Sequence, residues 1–368
     1  MLLAYLIYIC SLLLMLSSAW ANKRYVFSQG RNKGMLYVST FIICIVSFIL
    51  CMRYEVGTDW ENYKYIFESY SVRGLTFIEA ISKENIEPLY SALNYIVDRL
   101  GGSYQCLLFI IMATHLGLLM TLCRSFPRYS VLIVFFYFMV LFLTTLNIHR
   151  QTLAICIFLV SLVCLQKNQN IRYIVGAIIA ILFHYSSIII LLVPLLKSRL
   201  CRFLDNRYVS IGLYVAGFFI GQFLMDAIIT YLPLMTDNSK YNSTLENLDH
   251  IHEFSSGLGM MFYKLLDILL IWNIPKFANR GLSLYSRTFV IGTVIANAFA
   301  NSMFLARVAF PFTSIKILLL PILLQECLAH ETLTLKRFAA IIVIVFALLG
   351  FMMNISNHNA GCSPFQFI

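Results

Sequence analysis

The chain has 368 residues, 60% of them apolar and only 12% charged, with a mean hydropathy of +0.81. Soluble domains run at roughly half apolar and about a quarter charged, so this composition excludes a water-soluble globular protein and points to a bilayer. The formal charge of +10 would suggest nucleic acid in a soluble protein, but here most basic residues sit in short loops between apolar stretches, where they set orientation. No nucleic-acid partner is expected.

A membrane helix needs roughly 17–25 mostly apolar residues. Such stretches fall near 1–20, 35–52, 105–123, 130–147, 150–166, 208–225, 257–274, 287–305, 308–325 and 338–354. They predict an all-α polytopic membrane protein with about ten transmembrane helices, a single transmembrane domain over 1–368. Ala19-Trp20-Ala21 imitates a signal-peptide cleavage site. However, nothing before the first apolar run is basic, and Lys23, Arg24, Arg31 and Lys33 follow it, the polarity opposite to that of a signal peptide. The run reads as a retained first helix with its amino end outside.

With that orientation the inner loops 21–34, 124–129, 167–172, 197–207, 275–287 and 326–337 carry 17 of the 27 Lys and Arg residues. The outer loop 53–104 has five, and the outer loop 226–256 has only Lys240. That bias is the one expected for cytoplasmic loops. The ten cysteines lie mostly inside apolar runs and show neither CxxC nor a zinc-like Cys/His spacing, so they read as small buried hydrophobes. Cys51 and Cys106, at the two ends of one loop, are the pair considered for a disulfide, and the distances a disulfide demands argue against it.

Loop 53–104 has the pattern of a folded segment. Trp60, Tyr63, Phe67 and Tyr70 recur at helical spacing, as do Leu89, Ala92, Leu93, Ile96, Val97 and Leu100, with Pro88 suited to a first helical turn. Both are amphipathic helices of the kind that lies at the headgroup level. Residues 173–196 either cross once or form a re-entrant hairpin of two half-helices bent at His184-Tyr185-Ser186-Ser187. The hairpin keeps Lys197, Arg199, Arg202 and Arg207 inside and is the expected form. Broken helices at membrane depth are tolerated only where they face protein or a wet cavity, so it would mark a site. In loop 226–256, Asp249-His250-Ile251-His252-Glu253 invites a metal, but no further ligands are spaced around it, and a solvated loop is expected.

Three arginines stand on the outer side at helix ends, against the orientation bias: Arg53, Arg150 and Arg307. Each either snorkels to headgroups or is held for an anion, and guanidinium suits a diphosphate. His184 is an ionisable group inside an apolar stretch, His149 adjoins Arg150, and His115 lies deeper and reads as structural. Asp59 and Glu87 stand among aromatic residues in the outer loop. A glycosyl transfer needs a base for the attacking hydroxyl, which a carboxylate or a histidine can supply.

Arg53-Tyr54-Glu55-Val56-Gly57-Thr58-Asp59-Trp60, followed by Tyr63 and Phe67, resembles the R-x-x-x-G-x-D-Y-x-x-Y-x-x-x-F signature of the EpsG family, which is related to Wzy-type O-antigen polymerases. Glu87-Pro88-Leu89-Tyr90 is similar to its E-P-x-Y/F element. Arg150-Gln151 with Ala154 is similar to its R-Q-x-x-A helix start, Phe183-His184 with Ser186 to its F-H-x-S turn, and Arg307 to its late arginine. Trp60 departs from the usual tyrosine, and Ser187 replaces a common alanine.

The resemblance implies a multi-pass enzyme of the bacterial inner membrane, with its site facing the periplasm and with no metal or nucleotide cofactor. It would transfer the growing glycan from undecaprenyl pyrophosphate to the non-reducing end of another lipid-linked oligosaccharide repeat, as in lipopolysaccharide biosynthesis. Its expected partners are those repeats, membrane lipid and a chain-length regulator protein. Arg53, Arg150 and Arg307, with Tyr63, Gln151 and Trp60, would bind substrate, and one of His184, Asp59, Glu87 and His149 would take the acceptor proton. A transporter or flippase of lipid-linked sugars, for which Asp267 is the clearest intramembrane acid, and an O-antigen ligase are the alternatives.

Overall fold

The computed structural model describes the chain except residues 74, 84–85, 236–257, 301–305 and 329–334. The described residues are nearly all helical. Among the described residues, seven helices are long and apolar enough to cross a bilayer: Leu2–Phe27, Lys33–Cys51, Tyr104–Ser125, Pro127–Asn147, His149–Gln166, Arg307–Leu328 and Leu335–Ser356. The expected spans near 208–225, 257–274 and 287–305 fall on the helices Arg207–Met235, Leu258–Trp272 and Ser283–Ala298, which are not among those seven. Large apolar side chains such as Leu6, Phe41, Ile342 and Phe346 point away from the protein. Water would not tolerate so many of them, and lipid would. The chain is a multi-pass membrane protein.

The chain packs as two compact units, Met1–Ile188 with Leu320–Ile368, and Ile189–Leu319. In the first, helix starts follow local chemistry. Asn32 caps Lys33–Cys51 by accepting the Met35 N–H at 3.4 Å, and Thr76 and Glu79 form a capping box on the short helix Phe77–Ile81. Glu87 is extended at the N-cap of Pro88–Arg99, with Pro88 in the first turn. Helix Trp60–Arg73 turns Trp60, Tyr63 and Phe67 inward, where they share a core with Tyr90, Val97, Tyr104, Leu107 and Ile111. The aromatic stripe of this loop is therefore packed on helix Tyr104–Ser125.

The segment 173–196 is broken where the sequence places a bend. Helix Asn170–Phe183 ends at His184, which is extended, and a 3-10 helix follows over Tyr185–Lys197. At 1.5 Å per residue the 14 residues of Asn170–Phe183 reach about 21 Å, short of a roughly 30 Å hydrocarbon core. The helix lies against His149–Gln166, with Gly176 so close to Ser161 that a Cβ would collide with its hydroxyl.

All ten cysteines are free thiols, Cys51 and Cys106 included. In the second unit, Arg287 lies in helix Ser283–Ala298. It donates to both Asp205 carboxylate oxygens and, from Nη1, to the carbonyls of Leu196 at 2.8 Å and Ser198 at 3.3 Å. Asp249-His250-Ile251-His252-Glu253 and most of 226–256 lie outside the described residues.

Candidate active site

The stretch Arg53–Asp59 closes over the end of helix Pro127–Asn147. The Asn147 side-chain oxygen accepts from the Asp59 backbone N–H at 2.9 Å and from the Thr58 hydroxyl at 3.0 Å. Arg53, only 2% exposed, donates to the carbonyls of Leu50 at 3.0 Å and Leu146 at 3.4 Å. Both carbonyls belong to helix ends, where a cation is favoured by the helix dipole. Gly57 sits between these contacts at φ 104°, and a Cβ there would stand 2.8 Å from the Leu146 carbonyl oxygen. The arginine, glycine and aspartate of this motif thus act together to seat the loop on a helix end.

The carboxyl-terminal segment holds the same loop from its other edge. Arg53 and Phe367 form an antiparallel bridge, Tyr54 donates its N–H to Gln366 at 2.9 Å, and Gly57 donates to Gly361 at 2.9 Å. These pairs satisfy backbone groups that a buried loop would otherwise leave open.

Glu87 lies at the centre of the polar cluster. One carboxylate oxygen meets Nη1 of Arg150 at 2.5 Å, and the other meets Nδ1 of His184 at 2.9 Å. Arg150 also donates from Nε to the Tyr63 hydroxyl at 3.4 Å, and its guanidinium lies 5.1 Å from the Tyr63 ring centroid and 5.3 Å from that of Tyr90. Such ring faces attract a cation and fix its plane. Behind them Tyr90 bonds the His149 ring at 2.9 Å. Burial pushes the Glu87 carboxyl upward, but the His184 hydrogen bond and the Arg150 charge outweigh it and hold the group below the usual carboxylate range.

Arg150, Glu87, His184, Tyr63 and His149 are therefore gathered at one place. Loop, helix start and helix break each supply part of it. Trp60 and Gln151 are buried alongside, Trp60 with its ring edge-on to Tyr54 and Tyr104. Asp59 stands at the start of helix Trp60–Arg73, half-exposed, with its carbonyl accepting the Tyr63 N–H. His115 bonds Thr152 and the Ile111 carbonyl, a structural position. Arg307 opens a short turn, Arg307–Ala309, in the second unit.

Two contributors escaped the sequence reading. Asn147 is a short amide in an apolar run, and the carboxyl-terminal segment shows no periodicity; only its Gly361 and Pro364 hinted at a specific shape. The chemical capacity of the cluster is plain. Arg150 keeps further N–H groups for an anion, and Nε2 of His184 has no hydrogen-bond partner among the described residues. The buried hydroxyls of Ser186 and Ser187, just beyond His184, also have no hydrogen-bond partner among the described residues.

A family model described as the EpsG family matches residues 36–367, nearly the whole chain. No curated protein and no solved structure matches it.

Proposed function

The chain belongs to the EpsG family, which is associated with Wzy-type polymerases and suggests a glycosyltransferase-like membrane enzyme, and we propose from this that it polymerises lipid-linked glycan repeats. The donor is a growing glycan on undecaprenyl pyrophosphate, and the acceptor is the non-reducing end of a second lipid-linked repeat. The reaction takes place at the periplasmic face of the inner membrane.

The observation that supports this reading is the Arg150–Glu87–His184 line, a guanidinium suited to a diphosphate and an imidazole able to accept a proton, both held by one carboxylate. An acceptor hydroxyl attacks the anomeric carbon while the bond from that carbon to the diphosphate oxygen breaks. The leaving diphosphate keeps the electron pair, and Arg150 stabilises the charge that develops on it. The hydroxyl proton passes to Nε2 of His184, and Glu87 holds the opposite nitrogen and orients the ring. Tyr63 and Tyr90 keep the guanidinium in its plane. Arg53 is a positioning residue, because its Nη1 and Nη2 groups serve carbonyls of the helix ends.

Residues 173–196 are proposed to re-enter the membrane, with the break at His184 placing the base at depth. The unpartnered hydroxyls of Ser186 and Ser187 suit the sugar end of a substrate, since buried polar groups seek hydrogen bonds. The surface-polysaccharide ladder of a deletion strain tests the reading. One repeat on the lipid core is the expected result. Unattached polymer would indicate a lost ligase, and repeats retained on the inner leaflet a lost flippase; either would overturn the polymerase reading.

A further inference from the structure

The second unit contains a charge imbalance that the reaction above does not use. Asp267 in helix Leu258–Trp272 pairs with Lys316 at 2.7 Å, and both are nearly fully buried. One turn earlier on the same face stands Lys264. Its ammonium donates to the Asn297 side-chain oxygen and lies 4.9 Å from the Phe218 ring centroid and 5.9 Å from that of Tyr214. Asn297 is itself fixed by donating to the Tyr214 carbonyl at 2.9 Å. Two ammonium groups therefore share one carboxylate among the described residues. An amide oxygen and ring faces are neutral partners, and an unmatched charge between apolar helices is costly.

A lysine on such a helix commonly snorkels toward the interface. Lys264 instead donates to Asn297 and lies over the ring of Phe218, which is 37% exposed. Lys264 is only half-buried and the ring over it is partly exposed, so the cation lies near the surface of its unit.

We infer that Lys264, with Asn297 beside it and the Asp267–Lys316 pair behind it, is an anion site for the phosphate-bearing head group of a lipid. It is separate in sequence and unit from Arg150 and independent of the transfer reaction proposed above. Two lipids carry this chemistry with a net negative charge, an anionic bilayer phospholipid and an isoprenoid diphosphate; zwitterionic phosphatidylcholine does not.

The test uses the full chain in phosphatidylcholine nanodiscs, titrated with farnesyl diphosphate and read by native mass spectrometry and thermal midpoint. Lys264→Gln is expected to weaken the binding by about tenfold or more, and Lys264→Arg to keep it. Asn297→Asp supplies Lys264 with an internal carboxylate. It is expected to lose the binding, and the retained ligand-free midpoint of Lys264→Gln, which leaves the Asn297–Tyr214 bond in place, separates loss of the site from loss of the fold. Arg150→Ala leaves the Lys264-dependent binding in place, so failure of the active-site reading is distinguishable. Discs containing phosphatidylglycerol identify the source: loss of the signal assigns the site to a bilayer phospholipid, and persistence assigns it to a diphosphate lipid. Unchanged binding in both Lys264→Gln and Asn297→Asp would overturn the inference.

Discussion

Glu87 stands 2.9 Å from Nδ1 of His184 although 97 positions separate the two residues, and its second oxygen is committed to Arg150. The carboxylate is thus the link between a cation suited to a diphosphate and a base suited to a hydroxyl. Its ionisation should govern both.

The pH dependence follows from the direction of the Glu87 shift. Its folded value lies below the ordinary carboxylate value of about 4.3. The stability it contributes is therefore fully present above that ordinary value and is lost as pH falls through the depressed one. Thermal midpoints of the wild type should drop on acidification below about pH 4, and those of Glu87→Gln should be flatter over the same window. Parallel curves would remove Glu87 from this role.

Arg150→Lys preserves charge but cannot serve Glu87, Tyr63 and an anion together. Glycosyl transfer should fall by about a hundredfold or more at normal membrane insertion. Near wild-type turnover would show that a point charge suffices.

For His184→Ala, the turnover number should fall by roughly 10²–10⁴-fold with donor affinity little changed, the mark of a proton acceptor. The limb of the pH–rate profile that reports the base should vanish in the same variant. A change confined to KM would assign His184 to binding.

Gly57→Ala puts a Cβ against the Leu146 carbonyl oxygen at a backbone conformation that alanine resists. Destabilisation by about 1–3 kcal/mol is expected, measured as loss of thermal midpoint in detergent.

How much of this was legible in sequence differs by element. The spacing of Trp60, Tyr63, Phe67 and Tyr70 is enough for a helix, and Trp60–Arg73 is one. The break at His184 was legible because His184-Tyr185-Ser186-Ser187 interrupts an apolar run, and the helix does end there. The side chain of Arg53 was not legible in the same way. Its residue type suits phosphate, yet its N–H groups face two helix-end carbonyls, a partnership formed only when Leu146 is brought near by folding. The pairing of the carboxyl-terminal segment with Tyr54 and Gly57 joins the far ends of the chain, and local pattern carries no trace of it. Asp267 is the clearest acid inside an expected span; its buried pairing with Lys316 is a contact across 49 positions that no helical period predicts.

That pair gives a further prediction. Asp267→Ala alone should destabilise by about 3–5 kcal/mol, since it strands a buried ammonium, while Asp267→Leu with Lys316→Leu should recover most of the loss. Equal destabilisation of the single and double variants would show that the charges are not coupled.

The most direct test of the central claim is chain growth by the purified protein, reconstituted with undecaprenyl-diphosphate-linked repeats and resolved as a ladder on a gel. Wild type should extend the repeats, and Arg150→Ala, inserted at the same level, should leave single repeats only. Long chains from Arg150→Ala would contradict the assignment of that guanidinium to the leaving diphosphate.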